Sequence, residues 1–178
     1  MQKRKTNRLQ KYDYSQGGYY FVTICTKGRG EWFGKIENGA MVLNEYGAIA
    51  AIYWADIPKY YPGVGMDEWV VMPNHIHGII VISPVGTEQC SVPTQRVSLS
   101  QIIKSFKGVM IKRIRSEFGD IRFAWQRSFY DHVIHNETSL NRIREYIKNN
   151  PKQWDMDIEN ACRTGQCPIP VCGANSTT

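Results

Sequence analysis

The chain has 178 residues, 42% of them hydrophobic, which suits one ordinary domain with its own core. No apolar stretch approaches the ~18 to 20 residues of a membrane span, and no apolar segment follows the charged start Met1-Gln2-Lys3-Arg4-Lys5, so neither a membrane protein nor a secretory leader is expected. A formal charge of +6 and a pI of about 9.1 point to a polyanionic partner in the cytoplasm.

Residues Lys3 to Lys11 read as a basic arm, either solvated or drawn to nucleic acid. Tyr19 to Thr26 reads as the first strand, introduced by Gly17-Gly18. Glu31 to Ile36 is a weaker strand, turned through Glu37-Asn38-Gly39 into Ala40 to Leu43. Asn44 caps a predicted helix from Glu45 to about Ile57, stopped by Pro58, with Ile49, Ile52, Tyr53 and Ile57 on its core side. After Tyr60-Tyr61-Pro62-Gly63 comes a strand, Asp67 to Met72, joined through Pro73-Asn74 to its partner.

That partner is His75-Ile76-His77-Gly78-Ile79-Ile80-Val81-Ile82, rich in β-branched residues and without a polar break after His77. Alternation puts His75 and His77 on one face with Ile79 and Val81, and Ile76, Ile80 and Ile82 on the other, so the strand is expected inside a sheet. Two imidazoles so placed either grip one metal ion or are hydrogen-bonded histidines at a strand mouth. A metal site needs a third ligand from elsewhere in the chain.

Ser83 to Val97 carries two prolines and no periodicity, as in a long surface connection. Ser98 or Ser100 caps a helix to about Phe118, with Ile102, Ile103, Phe106, Val109, Met110 and Ile114 inward. Its Lys104, Lys107, Lys112 and Arg115 share a sector of roughly 140°; such a stripe is a solvated face or a phosphate-binding one. Gly119-Asp120 ends that helix, and Trp125-Gln126 precedes a strand, Ser128 to Ile134. Asn136 caps a final helix, Glu137 to Asn150, ended by Pro151, whose stripe is Leu140, Ile143 and Ile147. Tyr146 and Asn150, i and i+4, share a face beside that stripe, near Ser139 and Arg142. Residues 1–155 read as one domain and 156–178 as a tail. Five cysteines, an odd number with Cys25 and Cys90 far from Cys162, Cys167 and Cys172, argue against a disulfide framework, and the tail lacks a close Cys-x-x-Cys pair.

Several of these stretches occur in an order that carries a resemblance: Tyr14-Ser15 with Gly18 to Thr26, Val70 to Gly78, Trp125-Gln126 with Phe129-Tyr130-Asp131-His132, and Tyr146 to Pro151. Over roughly Arg8 to Trp154 the chain resembles the REP-associated tyrosine transposases, a branch of the single-tyrosine HUH transposases of IS200-like type. The resemblance implies an α+β, ferredoxin-like antiparallel sheet with packed helices. It implies that His75 and His77 form the His-hydrophobic-His motif, that Asn150 is the third metal ligand, and that Tyr146 is the nucleophile. It implies Mg2+ or Mn2+ as cofactor and single-stranded or hairpin DNA as partner, cut and rejoined through a 5′-phosphotyrosine by a nucleoid-associated monomer or homodimer.

A free phenol titrates near pH ~10, so the tyrosine needs activation by the metal's field or by cations such as Arg142 or Lys148. Lys104, Lys107, Lys112, Arg115, Arg142 and Lys148 are the candidate phosphate contacts, and Tyr60, Tyr61 and Phe123 are candidate base-stacking rings. Asp131 and His132 are expected to support the sheet rather than react. Two other readings compete: a hairpin-binding regulator that does not cleave, and an unrelated metalloenzyme such as a zinc hydrolase that ignores Tyr146.

Overall fold

A computed structural model of the chain describes residues 16–83 and 97–154. The basic arm, Tyr14-Ser15, most of the proline-containing connection and the cysteine-bearing tail lie outside them. Six strands and four helices are assigned: β1 (Gly18–Cys25), β2 (Gly34–Glu37), β3 (Ala40–Leu43), α1 (Glu45–Ala55), α2 (Ile57–Tyr60), β4 (Val64–Met72), β5 (His75–Ile82), α3 (Leu99–Phe118), β6 (Tyr130–Ile134) and α4 (Glu137–Asn149). A 3-10 turn, Asn150–Gln153, continues α4. Among the described residues no helix is long and apolar enough to cross a membrane.

The main sheet runs β4-β5-β1-β6, antiparallel throughout. With α1 and α3 as its two crossovers, this is the split β-α-β-β-α-β arrangement of the ferredoxin-like α+β fold. β5 is internal, as its two apolar faces require. Its register with β1 sets Thr23 opposite His77 and Cys25 opposite His75. β2 and β3 form a separate hairpin whose turn, Asn38-Gly39, has positive φ at both residues, the primed geometry that matches strand twist.

The sheet's two faces carry unequal cores. On one, Tyr20, Val22, Ile24, Ile76, Ile80 and Val133 pack against α1 and α3 through Trp54, Ile102, Phe106 and Met110. On the other, a smaller cluster joins Phe21, Ile79 and Ile134 to Leu140, Ile143 and Ile147 of α4, with Val70, Tyr130 and Tyr146 packed at its edge. Gly78 is the hinge of the first arrangement: a Cβ there would come within 2.7 Å of the Trp54 ring and 3.0 Å of Trp69. The glycine after the second histidine therefore lets α1 seat its indole directly behind them.

Caps fall where the sequence puts them. Asn44 accepts from Gly47 N–H, Asn136 from Ser139 N–H, and Ser98 forms a capping box with Gln101 that excludes Ser100 as the start. Two core assignments and one base-stacking assignment are corrected. Ile52 is 60% exposed, because α1 is apolar almost all round and turns Gly47, Ala50 and Trp54 to the sheet instead. Val109 lies at the exposed margin of α3. Phe123 is fully buried between Trp32, Phe33 and Trp125, so it is not a surface ring for stacking a base. Pro58 does not stop α1, which ends at Asp56; it occupies the first turn of α2, where a missing N–H is harmless.

Candidate active site

Both histidines are buried, at 3% and 2% exposure, rather than sitting at an open strand mouth. Their ring centroids lie 4.4 Å apart. Each ring is fixed through Nδ1. His75 Nδ1 is 2.7 Å from Asn74 Oδ1, an acceptor, so Nδ1 carries the proton and Nε2 keeps a lone pair. That Nε2 is buried and makes no hydrogen bond. His77 Nδ1 is 2.8 Å from Thr23 Oγ1, its cross-strand neighbour. Phe21 stacks on His77 and Trp154 on His75. Burial first, then the charge of Arg29, pushes His75 down to about 3, and burial with the neighbouring His75 holds His77 well below its ordinary value. Both imidazoles are therefore neutral at pH 7, the form that ligates metal.

α4 brings the phenol to this pair. Tyr146 Oη lies 3.4 Å from His77 Nε2, and its ring meets His77 and Phe21 edge-on. Asn150, completely buried, caps the same helix one turn later and is bracketed in sequence by Tyr146 against His77 and Trp154 against His75. Among the described residues no third His, Cys, Asp or Glu joins the histidines. Two imidazole nitrogens with an amide oxygen would be a mixed donor set for a divalent cation, and the unbonded His75 Nε2 fits that use.

Helix α4 is held by β4. A β-bulge between Met66 and Trp69 turns Asp67 and Glu68 toward it. Arg144 Nε and Nη2 lie 2.9 and 2.6 Å from the Asp67 carboxylate, and Lys148 Nζ 3.5 Å from Glu68. The Arg144 guanidinium keeps the Asp67 carboxyl below the usual carboxylate range.

The candidate phosphate contacts divide. Lys104, Lys112 and Arg115 are exposed on α3, behind the sheet face opposite the histidines. Lys107 donates to the carbonyls of Gln126 and Ser128 at 2.9 Å each and so braces the approach to β6. Arg142 is exposed on α4, and Lys148 is engaged by Glu68. Tyr60 is exposed and Tyr61 half-buried, both at the far end of the sheet. Asp131 pairs with Val22 on the main-core face; His132, half-buried opposite Phe21, lies on the histidine face. Missed from sequence were Asn74 and Thr23, which orient the imidazoles, Arg29, and the Asp67–Arg144 pair. The Lys27-Gly28-Arg29-Gly30 run directly after β1 was the available signal for Arg29.

Two buried imidazoles on one face of an antiparallel sheet thus meet a phenol carried by the helix packed on that same face. Residues 15–150 match the family model described as "Transposase IS200 like". An uncharacterized protein of Haemophilus influenzae is 38% identical over 167 residues, covering 86% of this chain and 91% of that one. Among solved structures, a REP-associated tyrosine transposase bound to a REP hairpin superposes with a TM-score of 0.57 at 18% identity, over 96% of this chain and 94% of that one. The chain belongs to the IS200-like transposase family, and its work is DNA processing of the transposase kind.

Proposed function

We propose that this chain is a metal-dependent single-stranded DNA endonuclease and strand transferase of the REP-associated type, acting beside hairpin-forming repeats through a covalent 5′-phosphotyrosine. The observation that carries the reading is the approach of Tyr146 Oη to His77 Nε2 at 3.4 Å, next to a buried His75 Nε2 that makes no hydrogen bond. His75, His77 and Asn150 would hold Mg2+ or Mn2+, which when bound supplies positive charge to the scissile phosphate. Tyr146 Oη attacks phosphorus; its O–P bond forms as the P–O3′ bond breaks, and the proton given up by the phenol is balanced by the one the 3′ oxygen takes up. The phosphotyrosine keeps the energy of the broken linkage, so another 3′-OH can displace the tyrosine and rejoin strands without a nucleotide cofactor. Asn74 and Thr23 hold the rings, while Phe21 and Trp154 cover their flat faces against water.

The test is a denaturing gel of labelled single-stranded hairpin DNA, taken from repeats flanking the gene, with protein and Mg2+ or Mn2+. A protein–DNA adduct and a released fragment ending in a free 3′-OH are expected from the wild type, and neither from Tyr146→Phe nor with EDTA. Tight binding of the same DNA without any adduct would replace this reading with a non-cleaving regulator. Turnover of small substrates by Tyr146→Phe would indicate an unrelated hydrolase.

A further inference from the structure

The loop that leaves β1 passes over the histidine end of β5 and is bound to it. Thr26 N–H donates to Asn74 O at 2.9 Å, and Thr26 Oγ1 is 3.0 Å from the same oxygen and 2.8 Å from Gly30 O. Asn74 Nδ2 returns a bond to the Arg29 carbonyl at 3.4 Å, while its Oδ1 holds His75. A single amide thus ties the loop to the imidazole.

Arg29 sits in that loop with φ +60, beside Gly28 at φ +65. L side chains rarely adopt this backbone conformation. The other non-glycine there, among the described residues, is Asn38, in a hairpin turn that favours asparagine. Arg29 is held there by its own backbone bonds, N–H to Thr26 O at 3.2 Å and C=O from Asn74 Nδ2 at 3.4 Å, and held, strained positions of this kind cluster at functional sites. Its guanidinium makes no ion pair or hydrogen bond among the described residues, unlike Arg113, Arg122 and Arg144, which are each paired to a carboxylate. It is half-buried, and Lys27, exposed and likewise with no side-chain partner among the described residues, precedes it by two residues.

We propose that Arg29, assisted by Lys27, is the phosphate clamp of the site: it binds a phosphodiester of single-stranded DNA beside His75 and positions the strand for Tyr146. The clamp rests on the functional reading above for its substrate, but DNA binding tests it without any cleavage. A planar guanidinium suits this use because it offers two parallel N–H donors to phosphate oxygens. Among the described residues no carboxylate is bonded to it, and its charge is felt at His75.

The experiment measures binding of a fluorescent single-stranded oligonucleotide, by anisotropy across a salt series, to the Tyr146→Phe protein carrying Arg29→Gly, Arg29→Lys or, as a remote control, Lys59→Gln. Glycine keeps the carbonyl that Asn74 bonds and accepts the positive φ, so Arg29→Gly is expected to melt no lower than its parent. It is expected to bind about fivefold to tenfold more weakly, with the slope of log affinity against log salt reduced by ~0.7, the value for one phosphate contact on a single strand. Arg29→Lys should recover most of the affinity, and Lys59→Gln should change nothing. Equal affinity and slope for Arg29→Gly and its parent would overturn the clamp, as would a fall in melting temperature with no rescue by lysine. Because these proteins lack the Tyr146 hydroxyl, loss of the clamp and loss of the covalent mechanism are separate results.

Discussion

Arg144 forks onto Asp67, spanning α4 and the β4 bulge two residues before Tyr146. Because α4 rests on a small apolar contact, this pair and Lys148–Glu68 set where the helix lies along the sheet. Asp67→Asn is expected to cost about 1 kcal/mol, as for a geometrically good, part-exposed ion pair, yet to slow adduct formation more than that loss of stability explains. Single-turnover kinetics on Asp67→Asn, Arg144→Gln and the double variant would decide, with non-additive rate losses expected for a shared role. The pair's contribution to stability should be intact at neutral pH and down to the unfolded carboxylate value. It should then fade as pH falls through the lowered folded value, so urea melts of wild type and Asp67→Asn should converge in acid.

The histidines act in the same direction but from a higher pH. Their folded values lie below that of a free imidazole, so below pH ~6.5, and down to about 3 for His75, the unfolded chain binds protons that the folded chain refuses. Stability should therefore fall on acidification from 6.5, by at most ~1.4 kcal/mol per pH unit for each histidine. Urea unfolding in EDTA at successive pH values, wild type against His75→Gln, should show the shallower slope in the variant.

Metal supply should register as stability independent of catalysis. Mn2+ is expected to raise the melting temperature of the wild type in proportion to the logarithm of its concentration, and EDTA to reverse it. His75→Gln and Asn150→Ala should each remove most of that rise. An unchanged rise in Asn150→Ala would strike Asn150 from the ligand set.

Gly78→Ala should destabilise by about 1 to 3 kcal/mol, the cost of overpacking against a ring that cannot withdraw. Pairing it with Trp54→Phe should recover part of the loss, measured as a coupling energy in a double-mutant cycle.

Much of the sheet was legible because its signals are local. The alternation of His75 to Ile82, the three asparagine and serine caps and the Asn38-Gly39 turn each depend on neighbours in sequence. The inward face of α1 was not legible, since a helix with no charge from Tyr46 to Ala55 gives spacing nothing to discriminate; only the notch at Gly78 selects Trp54. Tyr146 was marked by position on α4, but its approach to His77 is set by the packing of α4 on the sheet. Asp67 and Arg144 are separated by 77 positions, and a bulge in β4 turns the carboxylate toward its partner. No periodicity announces such a bulge.

The unequal cores on the two sides of the sheet imply unequal resistance to opening. β5 and β1 share their hydrogen bonds in the middle of the sheet and are backed by the larger core, so their amides should exchange with solvent only on global unfolding. α4 is secured by three aliphatic side chains, the Tyr146 ring and two ion pairs. It is expected to part from the sheet in a smaller, more frequent excursion that leaves the rest folded. The histidines are therefore expected in the slow-exchanging part of the molecule and the tyrosine in the faster one, so that an opening of α4 would leave the scaffold that holds the imidazoles intact.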